Sequence, residues 1–151
     1  MPIYFYSARE TPHGCFSNFS KHGFELEGMF WKTSEHYFQA QKFQPHQVHV
    51  STIQRAFTPK DAANLGRERS RPLRTDWEAI KDDIMRQAVL TKFETHLEIQ
   101  QILLETEIED LIENTSGDHY WGCGSTGTGK NMLGIILMET REILRSRLEK
   151  T

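Results

Sequence analysis

Over the first part of the chain apolar positions come in short bursts between turn-forming residues: Ile3-Tyr4-Phe5-Tyr6, Pro12-His13-Gly14, Phe16 and Phe19 around Ser17-Asn18, then Phe24-Glu25-Leu26-Glu27 before Gly28. This predicts short extended pieces in a small sheet or loop layer. From Thr33-Ser34 the spacing turns helical, and either hydroxyl can cap a helix that runs to about Phe43 before Pro45 stops it. Thr58-Pro59 sets a cap followed by proline at the first helical position, and Gly66 has the place of that short helix's C-terminal cap. Thr75-Asp76-Trp77-Glu78 has the form of a capping box, with an apolar stripe of Ile80, Ile84, Met85, Ala88 and Val89 carrying a helix to about Phe93.

A further helix is expected from about Glu98 to Leu104, bounded by Thr106, whereas Ile108 to Glu113 fits a strand or a short helix, since Leu111-Ile112 alone fix no period. After the turn at Ser116-Gly117-Asp118 and the glycine-rich Gly122 to Gly129, a last amphipathic helix over Asn131 to about Glu149 turns Leu133, Ile136, Leu137, Ile143 and Leu144 toward the core. No repeat or linker breaks the pattern. The expectation is one domain over residues 1–151, mainly α with a few short β-strands, an α+β fold.

Composition narrows the class. A length of 151 residues suits one core, and 37% hydrophobic with 26% charged residues excludes disorder, collagen and coiled coil. Lys plus Arg at 18 against Asp plus Glu at 21 gives a net charge of −3, so any contact with nucleic acid must be local. The basic side chains concentrate between Arg55 and Lys92, with Arg67, Arg69, Arg71 and Arg74 close together, while Phe93 to Gly129 carries no Lys or Arg. That stretch is a local patch or a solvated loop. Cys15 and Cys123 make neither a disulfide framework nor a zinc spacing, and the N-terminus lacks the form of a signal peptide. Met132 to Met138 is too short to cross a bilayer. An intracellular, cytoplasmic protein is expected. Aromatic residues make up 11%: 9 Phe, 4 Tyr and 3 Trp. Such rings supply core mass and stacking surface alike; Phe5, Phe24, Phe30, Phe57 and Phe93 read as core.

Three constellations bear on chemistry. Gly124-Ser125-Thr126-Gly127-Thr128-Gly129-Lys130 has phosphate-loop spacing but is followed by Asn131, where Ser or Thr would hold magnesium, and no buried strand precedes it. What remains is a glycine-rich lead into a helix start with free N–H groups suited to phosphate, or else a surface loop. On the first helix Glu35, Gln39 and Lys42 fall at i, i+4 and i+7. Such a stripe is a solvated face unless the apolar Tyr37, Phe38, Ala40 and Phe43 around it bury the helix, in which case it lines a pocket or pairs internally. Third, Asp118-His119-Tyr120-Trp121-Gly122, with Trp77, offers a carboxylate and rings that either stack a planar base or plug the core. The histidines have no zinc-ligand spacing, and no catalytic metal or cofactor is expected.

Taken in order, Gly14-Cys15-Phe16-Ser17-Asn18-Phe19, Thr33 to Phe43, Leu65-Gly66-Arg67, Arg74 to Glu78, Met85 with Lys92-Phe93, Asp118 to Gly122 and Asn131-Met132-Leu133-Gly134 resemble the NADAR family, which includes the YbiA-like proteins. The resemblance spans nearly the whole chain. It implies a YbiA-like, mainly helical fold and N-glycosidase activity on ribose attached to an exocyclic amine of a base. Two substrate classes follow from it: ADP-ribosylated guanine in nucleic acid, toward which the arginine patch inclines the expectation, and phosphoribosylamino-pyrimidine intermediates of riboflavin synthesis.

On that footing Lys42, Glu35 and Asp118 are the expected catalytic residues. Lys42 would attack C1 of the ribose and form a Schiff base, with Phe38 and Phe43 as dry walls, Glu35 moving protons, and Asp118 orienting ribose hydroxyls or sharing the proton transfer. Alternatively, Glu35 and Asp118 would drive direct attack by water. Ser17 and Asn18 are expected to read polar base edges, Trp77 and Trp121 to stack the base or the adenine, and Arg67 with the helix start at Asn131 to take phosphate, with Phe19, Gln39 and Gly122 also in the substrate-binding set. A module that binds ADP-ribose or another nucleotide without cutting it is the non-enzymatic alternative.

Overall fold

The computed structural model describes residues Met1–Lys150, which fall into two compact units: residues 18–92, and a second assembled from residues 1–17 and 93–150. Among the described residues there are six helices and four short strands, the mainly α architecture with few strands that the sequence implied. In chain order the strands are β1 (Ile3–Phe5), β2 (Phe24–Leu26), β3 (Met29–Trp31) and β4 (Leu111–Glu113).

In the unit of residues 18–92, β2 pairs antiparallel with β3, Phe24 facing Trp31. Their turn uses positive φ at both Glu27 and Gly28, the handedness that a two-residue hairpin loop needs. Alternation puts Phe24 and Trp31 inside and Glu25 with Phe30 outside. Phe30 is therefore exposed, contrary to its expected core place, and so is Phe57, which lies in the loop before the third helix beneath the Lys32 ammonium at 6.0 Å.

Helix α1 spans Ser34–Gln41, and it is Thr33 that caps it, accepting the His36 N–H at 3.2 Å. Next comes α2 (Gln47–Gln54), a helix the sequence pattern did not disclose. Its Val48, Val50, Thr52 and Ile53 have strand-like propensity, and its N-cap, His46, makes no side-chain cap bond. Tertiary burial of Val50 and Ile53, three residues apart on one face, overrides that preference. Helix α3 (Pro59–Gly66) starts as expected, with Thr58 accepting the Asp61 N–H at 3.0 Å.

Helix α4 runs Trp77–Thr95. The anticipated capping box gives way to other bonds: the Asp76 carbonyl accepts from Ala79 and Ile80, and the Glu78 carboxylate pairs with Lys81 at 2.7 Å instead of reaching back. The core of this unit centres on Trp31, whose ring meets Tyr37 edge-on at 5.3 Å, with Phe24, Phe43, Val50 and Ile53 around it.

In the other unit β1 pairs in parallel with β4, Ile3 facing Leu111, which resolves the ambiguous stretch in favour of a strand. Helices α5 (Leu97–Glu105) and α6 (Met132–Glu149) complete it. Helix α6 packs on β4 so closely that a β-carbon at Gly134 would collide with the Leu111 carbonyl oxygen. Leu133, Ile136, Leu137 and Leu144 are buried as the pattern required, but Ile143 is exposed. The buried Arg141 ties α6 to the end of α5, donating to Thr106 Oγ1 at 2.8 Å and to the Glu109 carbonyl at 2.9 Å. Among the described residues no helix is long and apolar enough to cross a membrane.

Candidate functional site

The polar stripe of α1 is not a solvated face. All eight residues of the helix are buried, Glu35 at 8% and Gln39 at 4% exposure included, so the stripe must be satisfied from within or by a ligand. Glu35 accepts a hydrogen bond from Gln39 Nε2 at 2.7 Å, the i, i+4 pairing that the helix period provides. Asn18 holds the start of the helix: its carbonyl accepts the Glu35 N–H at 3.2 Å, its Oδ1 accepts the Ser34 hydroxyl at 2.8 Å, and its amide nitrogen lies 3.5 Å from Met85 Sδ. The Asn18 side chain, expected to read a base edge, is thus already engaged with α1 and α4.

Lys42 follows the last turn of α1, half-buried, and donates from Nζ to the carbonyl of Gly66 at 3.3 Å. Gly66 ends α3 without a left-handed φ, so it is not the cap its position suggested. Its requirement is space. A β-carbon there would stand 2.8 Å from Cδ and 2.9 Å from Cβ of Gln39, and closer still to Oε1. The bare glycine lets α1 and α3 approach until the ends of Gln39 and Lys42 both reach the same residue.

Arg74 fixes the other end of α1. Its N–H donates to the Lys42 carbonyl at 2.9 Å and its guanidinium to the Gln41 carbonyl at 3.3 Å, while Asp76 holds the guanidinium at 2.7 Å. These are the carbonyls that a helix end leaves unpaired. Arg71 is likewise occupied, with Glu68 at 2.7 Å and His49 Nδ1 at 2.8 Å. Arg67 and Arg69 are exposed and, among the described residues, form no ion pair.

Charge and burial act together on Lys42. Burial disfavours its ammonium form most, and the positive charges of Arg67 and Lys81 add to that, against the opposing pull of Glu35; the net effect lowers its pKa below the ordinary lysine value. A lysine so placed is more readily the free amine that nucleophilic attack needs. Phe38 and Phe43 are buried, as walls should be, but their rings pack on Trp77 (5.0 Å) and His49 (6.0 Å) respectively. Trp77 is itself buried, so its contact with Phe38 is that of a core pair.

The remaining candidates belong to the other unit, except Phe19, which is partly exposed in the first. Ser17 is buried and donates its N–H to Gly14. Asp118 is exposed, and its Oδ1 accepts the N–H groups of Tyr120 (2.9 Å) and Trp121 (2.8 Å), shaping the turn on which those two rings meet edge-on at 4.9 Å. Gly122 is buried, and a side chain there would strike Thr115. Asn131, at φ 53, clamps β4 with its amide, donating to the Leu111 carbonyl at 2.8 Å and accepting the Glu113 N–H at 2.9 Å. The helix start after it is not open: Met132 and Leu133 donate to the carbonyls of Tyr120 and Trp121. The structure thus gathers Glu35, Gln39 and Lys42 with Asn18 nearby on α1, and Asp118, Trp121, Gly122 and Asn131 in a cluster of the other unit. It adds three participants absent from the sequence-derived set: the Gly66 carbonyl, the Arg74 clamp and the Lys81 charge. A backbone carbonyl has no side-chain signature, and although Gly66 and Arg74 both lay within motifs, Lys81 lay in none.

Comparison with known proteins gives the family. A NADAR domain match covers residues 4–145. The chain is 48% identical to an N-glycosidase of Nostoc punctiforme over all of its own length and 97% of the relative's. It is 48% identical to the N-glycosidase YbiA of Escherichia coli, covering 94% of this chain and 88% of that one. The solution structure of E. coli YbiA superposes with a TM-score of 0.91 at 45% identity, covering 100% of this chain and 89% of that one. A riboflavin biosynthesis protein of maize, PYRR, is 40% identical over 87% of this chain, which spans only 23% of that longer protein. The class is therefore that of an enzyme, a hydrolase of N-glycosyl compounds. More narrowly, the chain belongs to the NADAR family, with the YbiA N-glycosidases among its relatives.

Proposed function

We propose that the enzyme hydrolyses the bond between ribose C1 and an exocyclic amine of a base through a Schiff base on Lys42. The observation that carries this reading is the half-buried Lys42 amine, disfavoured as a cation and lying on the same buried stripe as a carboxylate. In the first step the glycosylamine opens: the ring C–O bond breaks, the ring oxygen takes a proton, and C1 becomes a protonated imine. Lys42 Nζ then bonds to C1, Glu35 carries a proton from that nitrogen to the base nitrogen, and the C1–N bond to the base breaks. The base departs as a primary amine. Water adds to the lysine imine, the C1–Nζ bond breaks, and the free sugar leaves with Lys42 regenerated. Asp118 orients the ribose hydroxyls or shares the proton transfer on this route, and on the alternative, direct attack by water, it joins Glu35 as an expected carboxylate.

For the substrate, phosphoribosylamino-pyrimidines come first. Two of the four arginines that favoured nucleic acid, Arg71 and Arg74, are held in internal ion pairs, and the maize relative is named for riboflavin biosynthesis. ADP-ribosylated guanine in nucleic acid is the second reading, favoured by the exposed Arg67 and Arg69, which suit phosphate. The test incubates the protein separately with a phosphoribosylamino-pyrimidine and with a guanine-ADP-ribosylated oligonucleotide and measures released ribose 5-phosphate or ADP-ribose. Borohydride added during turnover should fix the sugar on Lys42, with both adduct and turnover lost in Lys42→Ala. An active Lys42→Ala enzyme rules out the Schiff base, and no release from either compound rules out the function.

A further inference from the structure

Among the described residues, Gln39 Oε1 is a buried side-chain oxygen without a hydrogen-bond partner. Its orientation follows from its neighbour. An ionised Glu35 can only accept, so the amide must turn Nε2 toward it, and Oε1 is left facing the surface of Gly66. The Gly66 carbonyl is where Lys42 Nζ rests. A buried acceptor left unpaired costs roughly 1–3 kcal/mol, and the residue it faces, Gly66, is the one whose carbonyl holds Lys42 Nζ. A group so placed fits a donor brought by the ligand.

We propose that Gln39 Oε1 accepts the hydrogen on the scissile nitrogen and so makes Gln39 the residue that selects glycosyl amines over ordinary nucleosides. This inference rests on the functional reading above and deepens it. When a base is joined to ribose through an exocyclic amine, the linking nitrogen is secondary and keeps one hydrogen. In a common nucleoside the linking nitrogen belongs to the ring and carries none. A nitrogen that donates to Gln39 keeps its lone pair directed at C1, which favours ring opening to the imine. A nucleoside at the same place would leave Oε1 buried and unpaired, and sites built around a substrate N–H discriminate strongly against analogues that lack it. Glu35 thereby gains a second role, because while it is ionised it holds the amide in the orientation that accepts.

The test compares a phosphoribosylamino-pyrimidine with its analogue methylated on the linking nitrogen, in the wild type and in Gln39→Met, which keeps length and removes the acceptor. The wild type should favour the N–H compound in kcat/KM, and Gln39→Met should reduce that preference at least about tenfold, the lost hydrogen bond to a buried group. Intrinsic reactivity cancels in the ratio. If Gln39→Met does not fold, Gln39→Ala, which relieves the packing on Gly66, takes its place. An equal preference in wild type and variant, or no preference in the wild type, overturns the proposal while leaving the enzyme's function intact. A wild type that leaves the N–H compound uncleaved removes both.

Discussion

Gly66→Ala is the most direct test of how the site is assembled. The added methyl group would meet Cδ of Gln39 at 2.8 Å and its Cβ at 2.9 Å, where carbon atoms settle at about 3.5–4.0 Å. The amide end of Gln39 can swing away, at the cost of its 2.7 Å bond to Glu35, but its Cβ is fixed to α1 and cannot. Overpacking of this kind costs about 1–3 kcal/mol, against a helix-propensity gain of at most about 1 kcal/mol for Ala over Gly. A net loss of about 1–2 kcal/mol is expected, or a fall in Tm of about 3–6 °C for a chain of this size. In a Gln39→Ala background only the Cβ contact survives, so the penalty of Gly66→Ala should shrink by about 1 kcal/mol, a coupling typical of residues in contact. Denaturant unfolding of the four proteins of the cycle measures it. Equal penalties in the two backgrounds, or none in the first, would refute the role given to Gly66.

Four further outcomes follow from the same geometry. Lys42→Met should abolish turnover yet raise Tm near neutral pH, because it removes a cation that burial disfavours; the gain should diminish as pH rises toward 10.5, where the unfolded lysine also loses its proton. Thermal melts over a pH series check this. Arg67→Gln takes away a positive charge that lowers the Lys42 pKa, so the alkaline rise of kcat/KM should move to higher pH; an unmoved profile would contradict the electrostatic account. Asn131→Ala loses both bonds to β4 and forces alanine to φ 53, which should cost about 2–4 kcal/mol by denaturant unfolding, whereas Asn131→Gly loses only the bonds and should cost less. His36, fully buried between Thr33 and the Ala56 carbonyl, has its pKa lowered chiefly by burial. Its unfolded form binds a proton more readily, so stability present above about pH 6.5 should decline as pH falls from there toward the lowered folded value, and His36→Gln should flatten that decline.

Where capping and period agreed, the elements were legible in advance: Thr33, Thr58 and the long stripe of α6 mark real helices. Helix α2 was not, since burial of Val50 and Ile53 by neighbours distant in sequence decides it against local propensity. The Thr75 box misled for a related reason: Asp76 is drawn to Arg74 and Glu78 to Lys81, charge pairs that a local motif cannot reveal. At the site, the Glu35–Gln39 contact could be read from helical spacing. The Lys42–Gly66 contact could not, because it depends on how closely two helices approach. Gly66 itself was visible but given the wrong cause, a left-handed cap instead of a close approach. The rings divide likewise: Phe24 and Phe93 lie inside, while Phe30 and Phe57 are turned out by strand alternation and loop placement.

The pairing of β1 with β4 has a consequence for synthesis. Residues 18–92, with Glu35 and Lys42, form a unit continuous in sequence, so its partners all leave the ribosome close together. Ile3, Tyr4 and Phe5 emerge before that stretch, yet their parallel partners, Leu111 to Glu113, emerge after the whole of it. Until then the strand edge of β1 presents unpaired backbone groups and apolar side chains, a template for pairing with other chains. The nascent chain is thus open to such pairing at β1 for as long as residues 18–92 take to emerge, and a chaperone that shields β1 over that interval would protect it.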